Sequence, residues 1–426
     1  MGLGPITIFD KSALQALSMD ESVWFDAFFL VNVVPPFYIE TLADLEKKVA
    51  RGRDPEQIVG VLAEKTPSGA APNVHHSRLI LAELLGQDIE MTGQIIVDAG
   101  EVKQAPDGTV GVHVDEFPEE AALLRWQNHE FLEIERAAAK AWRAELAEHD
   151  PDRMIVVLKN ILPADTKISG LEALKPFIDS FCAGNGREVV ALALDVVGAP
   201  AEYKAFALAR WQRDGTPPLD EFLPYTTHVF KVDLLFYLGI YRGFISGDRA
   251  SNRADMAYLY YLPFCMVFLS SDRLHSRTVP LFLRDDQSYI HGDEFKTALG
   301  ELDQYYDALP EEIKELGVMQ FVSYPPSDVD SVVTRLWDRH MRPEWRDTAK
   351  EQEARRGQPR DEEAGRKTVD EMRARIEQAR PLSQQMPVIG DSGPDYMIIR
   401  RLVPVKKGKW RMVSKEVEEA SPEDGG

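Results

Sequence analysis

Asn252-Arg253-Ala254-Asp255-Met256-Ala257-Tyr258-Leu259-Tyr260-Tyr261-Leu262-Pro263-Phe264-Cys265-Met266-Val267-Phe268-Leu269-Ser270-Ser271-Asp272 is the stretch that decides how this chain folds. It predicts a helix with an acid, Asp255, in its first turn, a short connection, then a buried strand with a second acid, Asp272, just past its end. Seventeen positions separate the two acids. A helix of about two turns followed by a strand of about five residues brings both carboxylates to one edge of a parallel sheet. Ligands of open α/β sheets gather at that carboxyl edge. Two carboxylates held together repel, and a divalent cation is the usual means of keeping both ionised.

The start of the chain predicts matching pieces. Ile6-Thr7-Ile8-Phe9 is an apolar, β-branched run that ends at Asp10 and reads as a central strand. Asp10 or Ser12 caps the helix that follows, with Leu14 and Leu17 on its inner side. A second strand is expected over Phe28–Val34, stopped by Pro35-Pro36, with Glu40 opening the next helix. Asp44 lies four residues on, so it shares a helix face with Glu40 and is a candidate supporting residue at the same edge. A final strand is expected over Val279–Leu283, and a helix from Gly292 to Leu309.

The expected fold class is α/β: three layers, α/β/α, around a mainly parallel central sheet, with a mostly helical insertion. Residues 1–50 and 225–340 form the discontinuous sheet domain, and 51–224 the insertion. Inside the insertion, Ile89–Val97 and Val110–Val114 read as a β-hairpin around Pro106-Asp107-Gly108. Residues 341–390 read as a charged helix or linker. Residues 391–426 read as a small β piece, pairing Tyr396–Arg401 with Lys409–Lys415, and a disordered acidic tail from Glu416.

Composition narrows the function classes. The chain has 426 residues, 44% of them apolar, and a net charge of -21. That balance disfavours a general nucleic-acid coat, which needs clustered Lys and Arg, but is compatible with an acidic metal site. The two cysteines, Cys182 and Cys265, lie in apolar runs and read as buried free thiols of a reducing compartment. With no leader pattern at its start and no apolar run long enough to span a bilayer, the chain is expected to be cytoplasmic, with no membrane partner.

Four acids thus stand out by position: Asp10, Glu40, Asp255 and Asp272. Gathered at one sheet edge, they suit one or two Mg²⁺ or Mn²⁺ ions and phosphodiester hydrolysis. This arrangement resembles the PIN-domain nucleases, a family that includes toxin ribonucleases and RNA-processing endonucleases. The resemblance is carried by Ile6-Thr7-Ile8-Phe9-Asp10-Lys11-Ser12, by Glu40, by Asn252-Arg253-Ala254-Asp255, and by Ser270-Ser271-Asp272 after the late strand. It covers about a third of the chain, and the long gap between Glu40 and Asp255 departs from the compact size of the family. It implies that Asp10, Glu40, Asp255 and Asp272 hold the metal and carry catalysis, and that Ser12 and Ser270 support them through hydrogen bonds. The expected activity is a divalent-metal-dependent nuclease, an endoribonuclease before a DNase. Its partner would be nucleic acid, with a homo-oligomer or a regulatory protein as further partners.

The remaining signals are weighed against plainer roles. Arg249, Arg253 and Arg273, with Arg277, flank the acids and suit phosphate binding, or else salt bridges. His75-His76 read as loop or helix-cap residues, and His275 as surface packing that could also face substrate. Lys406, Lys407, Lys409, Trp410 and Arg411 form a basic-aromatic patch that suits a single strand, or an ordinary exposed hairpin edge. The alternative function is a catalytically inactive PIN-like scaffold or sensor that binds a partner protein. A phosphatase using Asp10 as nucleophile is disfavoured, because position 12 is Ser and not a second Asp.

Overall fold

The structure is a computed structural model that describes residues 4–47, 54–98, 100–108, 110–113, 117–148, 150–163, 165–356 and 404–420, with 367, 370–371, 374–375, 377–382 and 387–389 between the last two. The chain is α/β around a five-stranded, all-parallel sheet. Its strands are β1 (Ile6–Phe9), β2 (Leu30–Val33), β3 (Ala71–Pro72), β4 (Val267–Ser270) and β5 (Ser288–His291), in the order β3-β2-β1-β4-β5. Every neighbouring pair is parallel.

β1, β2 and β4 are buried at all four positions. Successive strand residues point to opposite faces, so both faces of the sheet are covered, as three α/β/α layers require. Phe9 packs on Phe25 of helix α2 (Met19–Phe28) at 5.6 Å and on Phe37 of α3 (Pro35–Leu42) at 4.8 Å. Phe25 continues onto Phe295 of the long helix Gly292–Asp307. The helix α4 (Pro224–Tyr241) is buried nearly all round and lies in the core. Asn32, buried in β2, donates from Nδ2 to the Phe264 carbonyl at 2.8 Å and ties the approach to β4 onto the sheet.

Several elements differ from expectation, each for a local reason. Phe28 ends α2, so β2 is shorter than Phe28–Val34. Pro35 and Pro36 open α3 instead of preceding it, because proline fits the first helical turn; Glu40 therefore sits near the end of α3. The final strand is Ser288–His291, whereas Val279–Leu281, interrupted by Pro280, is a 3₁₀ turn. The hairpin pairs Glu101–Gln104 with Val110–His113, while Ile95–Ile96 pairs with Val388–Ile389. β3 comes from within 51–224, so that stretch supplies a strand of the central sheet. Residues of 341–390 form a helix at Trp345–Ala354, whose Trp345 is buried against Trp337.

At the C-terminal end, Lys406–Lys407 pairs with Trp410–Arg411, and Tyr396–Arg401 lies outside the described residues. The expected basic-aromatic surface is not one. Trp410 is buried against Trp24 at 4.8 Å, and both indoles donate to Asp303. Lys407 is buried beside Asp26. Burying an indole with a partner for its N–H outweighs leaving it in water. Lys415–Ala420 is helical where a disordered tail was expected to begin, and 421–426 lie outside the described residues. Cys182 and Cys265 are both buried and free. Among the described residues no helix is long and apolar enough to cross a membrane.

Candidate functional site

The chain runs outward from β1 to β2 and β3, then returns to β4 on the other side of β1. The crevice outside the carboxyl ends of β1 and β4 is therefore the switch point, where open α/β sheets bind ligands. Asp10 follows β1 and caps helix α1 (Lys11–Ala16), accepting from the Ala13 amide at 2.8 Å. Asp272 follows β4 and caps a short helix, Arg273–Thr278, accepting from the Leu274 amide at 2.5 Å and the His275 amide at 3.3 Å. Two acids singled out by the sequence thus flank one crevice.

Asp10 is buried and heavily bonded. Ser12 Oγ donates to it at 2.7 Å, and so does Ser270 Oγ, also at 2.7 Å. Ser12 and Ser270 thus occupy the supporting positions expected of them. Glu40 is partly exposed, with its Oε2 accepting from the fully buried Tyr258 hydroxyl at 2.7 Å. Asp255 lies in α5 (Ser251–Ala257), in its last turn and not its first, and its carboxylate makes no hydrogen bond among the described residues.

His275 is the centre that was missed. It is fully buried, not at the surface. Its Nε2 lies 2.7 Å from the Asp255 carbonyl; its Nδ1 lies 2.8 Å from Ser270 Oγ and 3.3 Å from Asp10. Nε2 faces a carbonyl and must donate. With Asp10 held ionised, Ser270 gives it its only proton, and Nδ1 then donates to Ser270 as well. This pattern of partners suits an imidazolium. Burial would lower its pKa, but the hydrogen bond and charge of Asp10, with Asp255 behind, raise it to about 9. Its ring also packs edge-on against Tyr258 at 5.7 Å.

The carboxyls respond to one another. Burial pushes Asp255 up, His275 draws it down, and Glu40, Asp272 and Asp10 add repulsion, leaving it at about 7. Burial also raises Glu40, against the pull of Lys11 and Tyr258. Burial would raise Asp10, yet His275, the Ala13 amide and Ser270 hold it below the ordinary aspartate value. Asp10, Glu40, Asp255 and Asp272 are therefore electrostatic neighbours.

Other expected residues fall elsewhere. Asp44 is buried and paired with Lys11 at 3.2 Å, Arg143 at 3.3 Å and Lys47 at 3.7 Å. That cation cluster commits it to structure. Arg253 pairs with buried Asp233 of α4 at 2.7 Å, donates to the Tyr260 hydroxyl, and lies among the rings of Phe236, Tyr237 and Tyr260. It is a core ion pair, not a phosphate ligand. Arg277 donates to the Phe244 carbonyl. Arg249 and Arg273 are exposed and make no ion pair among the described residues. His75 caps the helix His76–Leu84, as expected of a cap residue.

The sequence did carry signals for the missed residues. His275 and Tyr258 each stand three positions after an acid, one helical turn away. Lys11 adjoins Asp10, and its Nζ donates to the Glu40 carbonyl at 3.1 Å. Asp233 is a lone acid in the apolar run Val232–Ile240, a pattern that calls for a buried partner.

In kind, the carboxylate oxygens fit a hard divalent cation such as Mg²⁺ or Mn²⁺. In position they are looser: among the described residues no three His, Cys, Asp or Glu side chains are grouped closely enough to hold a metal ion. Comparison with protein-family models, with curated proteins and with solved structures finds no match to this chain.

Proposed function

We propose that the chain is a divalent-metal-dependent nuclease of PIN-like organisation, hydrolysing phosphodiester bonds at the crevice between β1 and β4, with RNA as the first substrate to test. The observation that carries the proposal is that one imidazole, His275, touches both Asp10 and the backbone of Asp255, so acids far apart in sequence share one crevice with Asp272. Glu40 joins through Tyr258, whose ring packs on the same imidazole.

Asp10, Glu40, Asp255 and Asp272 would hold Mg²⁺ or Mn²⁺. When bound, such an ion offsets the negative charge that develops on phosphate and lowers the pKa of water. Ser12 and Ser270 fix the Asp10 carboxylate in one orientation, and Tyr258 does so for Glu40. Arg249 and Arg273, exposed and without an ion pair among the described residues, are candidates to bind the phosphate backbone. The experiment is cleavage of labelled single-stranded RNA and DNA by purified protein in Mn²⁺, with Asp10→Asn as control. Cleavage by the wild type alone supports the proposal, and no cleavage by either protein counts against it.

A second reading has its own observation. His275 and Lys11 already place two positive groups among the acids, so the cluster is partly neutral without a metal. That favours a catalytically inactive scaffold or sensor, which would bind a partner protein and no Mn²⁺.

A further inference from the structure

Three of the four acids are held by their own side chains. Asp10 accepts from Ser12, Ser270 and Ala13; Asp272 accepts from Leu274 and His275 amides; Glu40 accepts from Tyr258. Among the described residues Asp255 has no such bond, so its placement depends on its backbone. That backbone belongs to α5, seven residues long, with no side-chain cap at its start. A helix this short has little stability of its own. Met256 anchors it in the core, Arg253 ties it to Asp233 of α4, Asn252 donates to the Ser246 carbonyl at 2.9 Å, and the Asp255 carbonyl meets His275. The Asp255 carbonyl is among the last four of α5 and also accepts from the Tyr258 amide. His275 therefore caps the C-terminal end of α5 from a different helix.

We propose that His275 is the positioning residue of the acid cluster, joining the Asp255 carbonyl through Nε2 to Ser270 and Asp10 through Nδ1, and so holding in place the Asp255 carboxylate, which has no side-chain bond of its own among the described residues. The importance of that placement for a cation rests on the function proposed above; the placement itself does not. Residues that orient ligands without touching the metal typically change metal affinity about 10- to 100-fold when altered.

His275→Asn and His275→Gln separate the two arms of the ring. Asn carries its amide nitrogen near the Nδ1 position, and Gln near Nε2. The test is hydrogen exchange of the α5 amides in metal-free protein, with Tm as the measure of global stability and Mn²⁺ affinity by calorimetry. In His275→Asn, exchange in Ser251–Ala257 rises at least about tenfold relative to the rest of the sheet, and any Mn²⁺ affinity falls by a similar factor. His275→Gln restores both to within about threefold of wild type. Equal behaviour of the two variants, whether unchanged or uniformly loosened, overturns the inference; if His275→Asn does not fold, His275→Gln with raised α5 exchange overturns it too. Wild type against Asp255→Asn in Mn²⁺ tests the cation site separately. Absence of Mn²⁺ binding there, with the exchange difference intact, removes the proposed function and leaves the positioning role standing.

Discussion

Ser270 Oγ donates to Asp10 Oδ2 at 2.7 Å although 260 positions separate the two residues. The bond forms because β4 lies directly beside β1, with Phe9 paired to Leu269, so that the residues leaving both strands emerge together. The same hydroxyl accepts from the Asp272 amide and from His275. One serine thus joins the acid after β1, the acid after β4 and the imidazolium. Replacing Ser270 by Ala removes a charge-assisted bond and leaves buried partners unmet, which costs about 1–3 kcal/mol. Chemical denaturation of Ser270→Ala gives that figure directly, and a variant as stable as wild type would contradict it.

The pH dependence of stability has a definite sign. His275 is raised from 6.5 to about 9 in the fold, so its contribution is complete below pH 6.5 and is lost as pH rises through about 9. A shift of this size corresponds to about 3 kcal/mol. Asp255, raised to about 7, acts in the same direction between about pH 4 and 7, because its ionised form is disfavoured in the fold. Asp10, held below its ordinary value, acts in the opposite direction: its contribution is lost as pH falls through the acid range. The urea midpoint is predicted to fall from pH 6.5 to 9, and His275→Gln to flatten that fall. A level wild-type midpoint over that range contradicts the imidazolium assignment.

The Arg253–Asp233 pair is structural. Burial pushes Asp233 upward against the pull of Arg253, so removing Arg253 strands a buried acid. Arg253→Ala is predicted to cost about 3–5 kcal/mol, and Arg253→Met with Asp233→Leu distinctly less. Equilibrium denaturation of the single and double variants decides it. A double variant no more stable than Arg253→Ala would show that the pair is more than a charge match.

Arg249 and Arg273 are predicted to act on binding alone. Replacing both by Ala leaves Tm within a few degrees of wild type, as surface changes do, and lowers the slope of log affinity for RNA against log salt by up to about 2. Salt titrations followed by fluorescence anisotropy measure this. An unchanged slope places the phosphate path elsewhere.

The sequence made the central sheet legible where strands were mostly apolar and wholly buried. Ile6–Phe9 and Val267–Ser270 are buried at every position and contrast with their surroundings. β5, with Ser288 and His291 at its ends and intermediate burial throughout, carries no such contrast, and the more apolar Val279–Leu283 drew the expectation instead. β3 is two residues long, one of them Pro72, and its place is set by pairing with β2. Asp10 and Asp272 lie where the sequence puts them, just past buried strands and capping the next helix, whereas Glu40 and Asp255, expected to open helices, sit near the ends of α3 and α5. Arg253 was not legible, since its partner Asp233 lies 20 positions away on another helix. Trp410 was misplaced because a basic-aromatic run looks the same in sequence whether its indole faces water or Trp24.

Mn²⁺ titration by calorimetry, comparing wild type with Asp255→Asn at pH 7.5, tests the central claim most directly. The account predicts micromolar binding of one or two ions by the wild type and its loss in Asp255→Asn, whose fold is otherwise unchanged. No binding by the wild type at millimolar Mn²⁺, or equal binding by both proteins, would contradict it.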